Sequence, residues 1–419
     1  MHQKETLPNG LTVLTEEMPN IRSVSIGVWL KQGSRHEEPV ENGISHFIEH
    51  LLFKGTETRS AADIARIIDS VGGQCDAFTS KENTCFYARV LDEHVPVAID
   101  LLADIVLRPR FDAENIEKER KVVYEEIKMV EDTPDDLIFD LFSGSFWKTH
   151  PLGRPIAGTV ESVAEMDQET LMSFFRSAYF PGNVVIAAAG NLKTRSFVDA
   201  VANAFGPMPN GGSARPIQPP RTHGGIVTRE KKDLEQLHLC MGVEAYPHHH
   251  ADRYAGYVLN TLLGGTMSSR LFQQIREERG LAYTVFSSIN TFVDTGYLVV
   301  YAATRPGGAS EVLERVCAEL ARLKEIPFPE AELQAGKNHL KGSLMLSLES
   351  SSSRMSNLAR QDIYFGRQLT LDELIAEIDA VTSEQVQNLA RRLLVSNGCT
   401  VAVLGNLSQL GLTPDHIRF

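Results

Sequence analysis

Apolar positions along the chain follow two periods. Short apolar or alternating runs at residues 24–30, 85–91, 183–189, 238–243, 282–289, 297–304 and 400–404 predict strands. Longer stretches at residues 61–71, 95–106, 112–131, 310–323, 330–346 and 383–394 place apolar residues three and four apart and predict helices. Strands come in hairpin-like groups followed by runs of helices. That pattern predicts α+β domains, each a sheet covered by helices.

The pattern also repeats. The run from Asn183 to Ala189 ends in Gly190-Asn191-Leu192, and the run after Cys399 ends in Gly405-Asn406-Leu407, so 405 minus 190 gives a period of 215 residues. Leu51 to Thr56 resembles Leu262 to Thr266 in the same way. Between the halves, Pro207, Pro209, Gly211, Gly212, Pro216, Pro219 and Pro220 break any regular element. A chain of 419 residues is long for one domain. Two homologous domains are expected, 1–215 and 216–419.

Candidate chemistry enters with His46-Phe47-Ile48-Glu49-His50, in an apolar, helix-like stretch. On a helix, residues i and i+4 stand one above the other, so both imidazoles can address one metal ion, with zinc the natural guest. Glu49, beside the second His, is close enough to act on water without being a ligand. Two imidazoles leave a zinc site one protein ligand short. The predicted helix at 112–131, with Asp112 as N-cap and Ile116, Val122, Val123, Ile127 and Met129 as its apolar positions, carries Glu119 and Glu126 two turns apart. Either fits as the third ligand. In the second half, Tyr257, Asn260 and Thr261 fall opposite His46, Glu49 and His50, so that half has no metal site.

These residues resemble the pitrilysin or insulinase family of zinc peptidases, in its short two-domain branch that includes the mitochondrial processing peptidases. The likeness extends to Gly72–Glu82, Glu119–Glu126 and His150–Arg154. It implies the same fold twice in tandem, forming half of a clamshell chamber. It further implies one zinc per chain on His46, His50 and Glu126, with Glu49 as general base and Glu119 as a carboxylate supporting a ligand. Residues 74–80 resemble the family's exposed edge strand, so Asp76, Ala77 and Phe78 are expected to pair with an extended peptide. Asp76 departs from the family's usual Asn. Arg276 and Tyr283 resemble the pair by which the non-metal domain stabilises the developing oxyanion. Four such domains enclose substrate in the family, so a homodimer is expected, each site completed in trans. The activity implied is endopeptidase cleavage of short or unfolded peptides. A non-catalytic assembly subunit and a hydrolase acting on another amide or ester are the alternatives.

Composition sets the surroundings. Lys and Arg total 41 against 54 Asp and Glu, a net charge of -13 that disfavours nucleic acid or an anionic membrane and favours cationic peptides. Five scattered cysteines without metal-type spacing, and an N-terminus without an apolar signal core, point to the cytoplasm. His248-His249-His250, after Pro247, reads as an exposed helix start.

Overall fold

A computed structural model describes residues 2–413 and 416–419. The first sheet holds β1 (His2–Thr6), β2 (Thr12–Glu17), β3 (Ser23–Leu30), β4 (Gln74–Thr79), β5 (Thr84–Leu91) and β6 (Val184–Gly190), in the order β1-β2-β6-β3-β5-β4. The second holds β7 (Gly225–Glu230), β8 (Leu237–Ala245), β9 (Ala282–Thr291), β10 (Gly296–Thr304) and β11 (Thr400–Gly405), in the order β7-β11-β8-β10-β9. With β1 set aside, the two orders are the same. The senses match too: β2 with β6 and β7 with β11 are parallel, and the other neighbours are antiparallel. The sequence repeat is therefore a repeat of topology, and both units are α+β.

Two glycines explain why Gly-Asn-Leu recurs. Gly190 and Gly405 close β6 and β11 with φ of 143° and 139°, a conformation that L side chains rarely adopt. A Cβ at either would press on a neighbouring backbone carbonyl, that of Ser23 or Gln236. Their own carbonyls accept from Met18 N and Lys231 N at 2.7 and 3.0 Å, tying the strand end to the chain beyond the parallel neighbour.

The strands β6 and β11 are buried at every position because both faces of each sheet are covered. In the first sheet, Val184, Ile186 and Ala188 face the main core, while Val185, Ala187 and Ala189 face Met355, Leu358 and Ala359 of the helix Ser351–Phe365. In the second, Ala402 and Leu404 face Ile138, Phe142 and Phe146 of the helix Pro134–Trp147. The chain accordingly divides into two compact units: Met1–Met129 with Arg154–Gln218 and Ser347–Gln368, and Val130–Gly153 with Pro219–Leu346 and Leu369–Phe419. Each unit takes one covering helix from the other half of the sequence. The units therefore differ from continuous stretches 1–215 and 216–419 by two exchanged helices, which a repeat in strand sequence does not reveal.

The predicted helix at 112–131 is observed as Ala113–Asp132, but two of its expected apolar positions are not core. Val122 and Met129 are 42% and 62% exposed, while Ile116, Glu119 and Val123 are buried. Among the described residues, no helix is long and apolar enough to cross a membrane.

Gly190→Ala and Gly405→Ala are each expected to cost about 1–3 kcal/mol in urea unfolding, through strain and the carbonyl contact together. Gly10→Ala, at a left-handed φ of 91° but with nothing within 4 Å of its Cβ, is expected to cost less.

Candidate metal centre

The site is built on the helix Ile44–Leu52, whose Ile44, Phe47, Ile48, Leu51 and Leu52 are buried in the core of the first unit. That packing leaves His46, Glu49 and His50 on the opposite, half-buried face. The helix begins after Gly43, a left-handed residue with φ of 97°. Its free N–H groups are met by Glu37: Gly43 N donates to Oε2 at 2.8 Å and Ser45 N to Oε1 at 2.9 Å. Burial pushes the Glu37 carboxyl up to about 7, although both backbone donors favour its ionised form.

Opposite lies Glu126 of the helix Ala113–Asp132. Its Oε2 stands 3.5 Å from His46 Nε2 and 3.3 Å from His50 Nε2. Two ligands each about 2.1 Å from a tetrahedral ion stand roughly 3.4 Å apart, so this spacing fits zinc coordination. Both His46 Nδ1 and Glu126 Oε2 are buried without a hydrogen bond of normal geometry. Two nitrogens and one carboxylate oxygen also form a common zinc donor set. His46, His50 and Glu126 are the one group of three or more potential ligands among the described residues.

Around these three, the electrostatics are divided. Burial, then the neighbouring His50, lowers His46 to about 4, which keeps its imidazole neutral. Burial also opposes the charged form of His50, but the Glu126 and Glu119 carboxylates outweigh it and raise its pKa. The interaction with His50 holds Glu126 low. Glu119, one of the two carboxylates left open by spacing, does not join the cluster of three. It is buried on the Nδ1 side of His50, 3.3 Å from that nitrogen and 3.0 Å from Lys54 Nζ, where it can fix the tautomer of His50. Val122 and Met129 flank Glu126 at i-4 and i+3 on its own helix surface.

Glu49 receives a hydrogen bond from the Thr79 hydroxyl, and burial raises its carboxyl above the usual range. Thr79 was not among the residues singled out from sequence. The signal was available: side chains alternate along β4, so Cys75, Ala77 and Thr79 share one face, and Cys75 and Ala77 pack against the core. Glu37 and Lys54 had no motif to mark them.

The strand β4 is an edge strand, as expected of residues 74–80. Asp76 and Phe78 are exposed on it and Ala77 is half-buried. In the second unit, Arg276 and Tyr283 lie together: the guanidinium carbon is 4.9 Å from the Tyr283 ring centroid and 4.7 Å from that of Phe272. Arg276 sits on a wide π-helical turn, Phe272–Glu277, and Tyr283 is 73% exposed. His46, His50 and Glu126 belong to the first unit and this pair to the second.

Comparison with known proteins gives a consistent picture. Residues 12–160 match the family model described as insulinase (peptidase family M16), and residues 165–340 match that described as the peptidase M16 inactive domain. A protein from Bacillus subtilis named as a zinc protease is 46% identical over 397 residues, 95% of this chain and 97% of its own. Another so named, from Mycobacterium leprae, is 44% identical over 421 residues, 99% of this chain and 94% of its own. A protease from Helicobacter pylori shares the fold with a TM-score of 0.91 at 22% identity, covering 97% of this chain and 99% of its own. A chain of complex III2 from Candida albicans does so at 0.85 and 21%, covering both chains fully.

Glu119→Gln is expected to weaken zinc binding by about 10–100-fold in competition with a chromophoric chelator, because His50 loses the carboxylate that orients it. His50→Ala should lose more, since it removes a donor outright.

Proposed function

Because the chain belongs to peptidase family M16, the insulinase family, we propose that it is a zinc-dependent endopeptidase hydrolysing peptide bonds in short or unfolded peptides held in extended form. The observation that carries this reading is that His46 Nε2 and His50 Nε2 stand 3.5 and 3.3 Å from Glu126 Oε2, a spacing that suits shared zinc ligation, with Glu49 on the same helix as the two imidazoles. Those three residues would hold one zinc per chain. When bound, zinc supplies Lewis acidity that polarises the scissile carbonyl and makes water more acidic.

The chain's own residues then have distinct tasks. Glu49 accepts a proton from the attacking water and returns it to the departing amine nitrogen. Burial raises its pKa, which strengthens it as a base for the first transfer. The Thr79 hydroxyl fixes one carboxylate oxygen of Glu49, leaving the other for the proton. Glu119 holds the ring of His50 from behind. The free edge of β4, with Asp76, Ala77 and Phe78, takes the peptide backbone by strand addition, which reads extended shape more than sequence.

Arg276 and Tyr283 complete the site as donors for the developing oxyanion, supplied by a second copy of the chain in a homodimer that closes a chamber around the substrate. Arg276 sits over Tyr283, so the two present one donor surface. The same reading puts the enzyme in the cytoplasm, where its five free cysteines stay reduced.

Glu49→Gln is expected to retain zinc and lower kcat about 10²–10⁴-fold on a mixed peptide library. Loss of zinc together with activity would assign Glu49 a structural role instead. Completion in trans makes a separate forecast. Glu49→Gln and Tyr283→Phe chains, each impaired alone, should regain activity when mixed and allowed to exchange subunits, because one of the two sites then carries both intact parts. An inactive mixture of exchanged subunits would place the whole site within one chain.

A further inference from the structure

The outward face of β4 carries chemistry that the proposed bond cleavage does not use. Cys75, Ala77 and Thr79 turn to one side, and Gln74, Asp76 and Phe78 to the other. Asp76 is paired across the sheet with Tyr87, so their side chains stand on one face. Burial and then the Asp76 carboxylate push the Tyr87 phenol up. The Phe78 ring lies 6.4 Å from that of Tyr87 and 5.5 Å from that of Trp29. One oxygen of Asp76 accepts from Ala77 N at 2.8 Å. Among the described residues Asp76 makes no ion pair, although Arg89, paired with Gln74, is on the same face. An exposed carboxylate beside two aromatic rings thus sits on the edge that would receive a strand.

A residue added opposite Asp76 places its Cβ about 4.5–5.5 Å away. Lysine and arginine fit that position. Their methylene stems can lie along Phe78 while the charged head reaches the carboxylate, which stands between the added strand and Tyr87. An acidic residue would meet a like charge. The net charge of -13 draws cationic peptides in the same sense.

We infer that Asp76, with Phe78 and Tyr87 beside it, selects peptides that carry Lys or Arg at the position pairing with it on the added strand. This rests on the reading of β4 as the substrate edge. The test uses labelled ten-residue peptides of Ala, Ser and Gly with a single Lys, norleucine or Glu moved along the frame. Cleavage is measured as kcat/KM on the wild-type chain, and binding as fluorescence anisotropy on the Glu49→Gln chain, each with and without Asp76→Asn.

At one position Lys should exceed norleucine about 2–5-fold in both measures, an effect the size of a partly exposed charge pair. The ratio should fall toward one in Asp76→Asn, which keeps an acceptor for Ala77 N, and Asp76→Lys should favour Glu. Cleavage without charge preference, or a preference unchanged in Asp76→Asn, overturns the inference and leaves the peptidase reading standing. Charge-selective binding with no cleavage of any peptide overturns the peptidase reading and leaves the inference. Absence of both binding and cleavage overturns both.

Discussion

The candidate site depends on the anchoring of one nine-residue helix. A helix that short does not hold together in water by itself, because nucleation costs more than its few hydrogen bonds return. Here two outside forces hold it. Its apolar face is buried completely at Ile44, Phe47, Ile48, Leu51 and Leu52, and its first N–H groups are closed by the buried Glu37 carboxyl. The rotation of His46 and His50 toward Glu126 is thus set by the core behind them. A metal arriving there finds donors already spaced for it, so little ordering has to accompany binding.

The three acidic residues around the two imidazoles show how environment separates roles among identical side chains. Glu126 stays ionised through its contact with His50, as a metal donor must. Glu49, more deeply buried and fixed by Thr79, is raised above an ordinary carboxylate by that burial. Glu119 is set behind His50 with Lys54 as its counter-ion. Helical spacing alone treats Glu119 and Glu126 as equivalent. What distinguishes them is which side of His50 each reaches, Nδ1 or Nε2, and that is decided by the packing of two helices.

Much of the architecture was legible because its signals are local. The strands ending in Gly190 and Gly405 announce themselves by apolar runs and by a glycine that no other residue can replace without strain. The four-residue spacing of His46 and His50 is likewise a property of one turn. Legibility failed where the decisive neighbour is remote in sequence. Val122 and Met129 look like core by periodicity but border Glu126 on the helix surface, because the helix Ala113–Asp132 has apolar residues on two faces and only one packs inward. Thr79 follows from strand parity only once β4 is known to lie over Glu49. Glu37 caps a helix that starts seven residues later, beyond the reach of the usual N-cap pattern.

The exchange of covering helices has a consequence for the order in which the protein can be made. The outer face of the first sheet, with Trp29, Val185 and Ala187, has its apolar cover in Met355, Leu358 and Ala359, which follow the last strand of that sheet by more than 150 residues. During synthesis the strands of that sheet emerge long before the helix that seals them, so the unit bearing the candidate metal ligands stays open on one side until residues 351–365 have been made. A nascent chain in this condition displays an apolar surface that chaperones recognise. The helix Ser351–Phe365 is then a closing step of folding, and a truncation before it would strand a sheet that has its candidate ligands but not its roof.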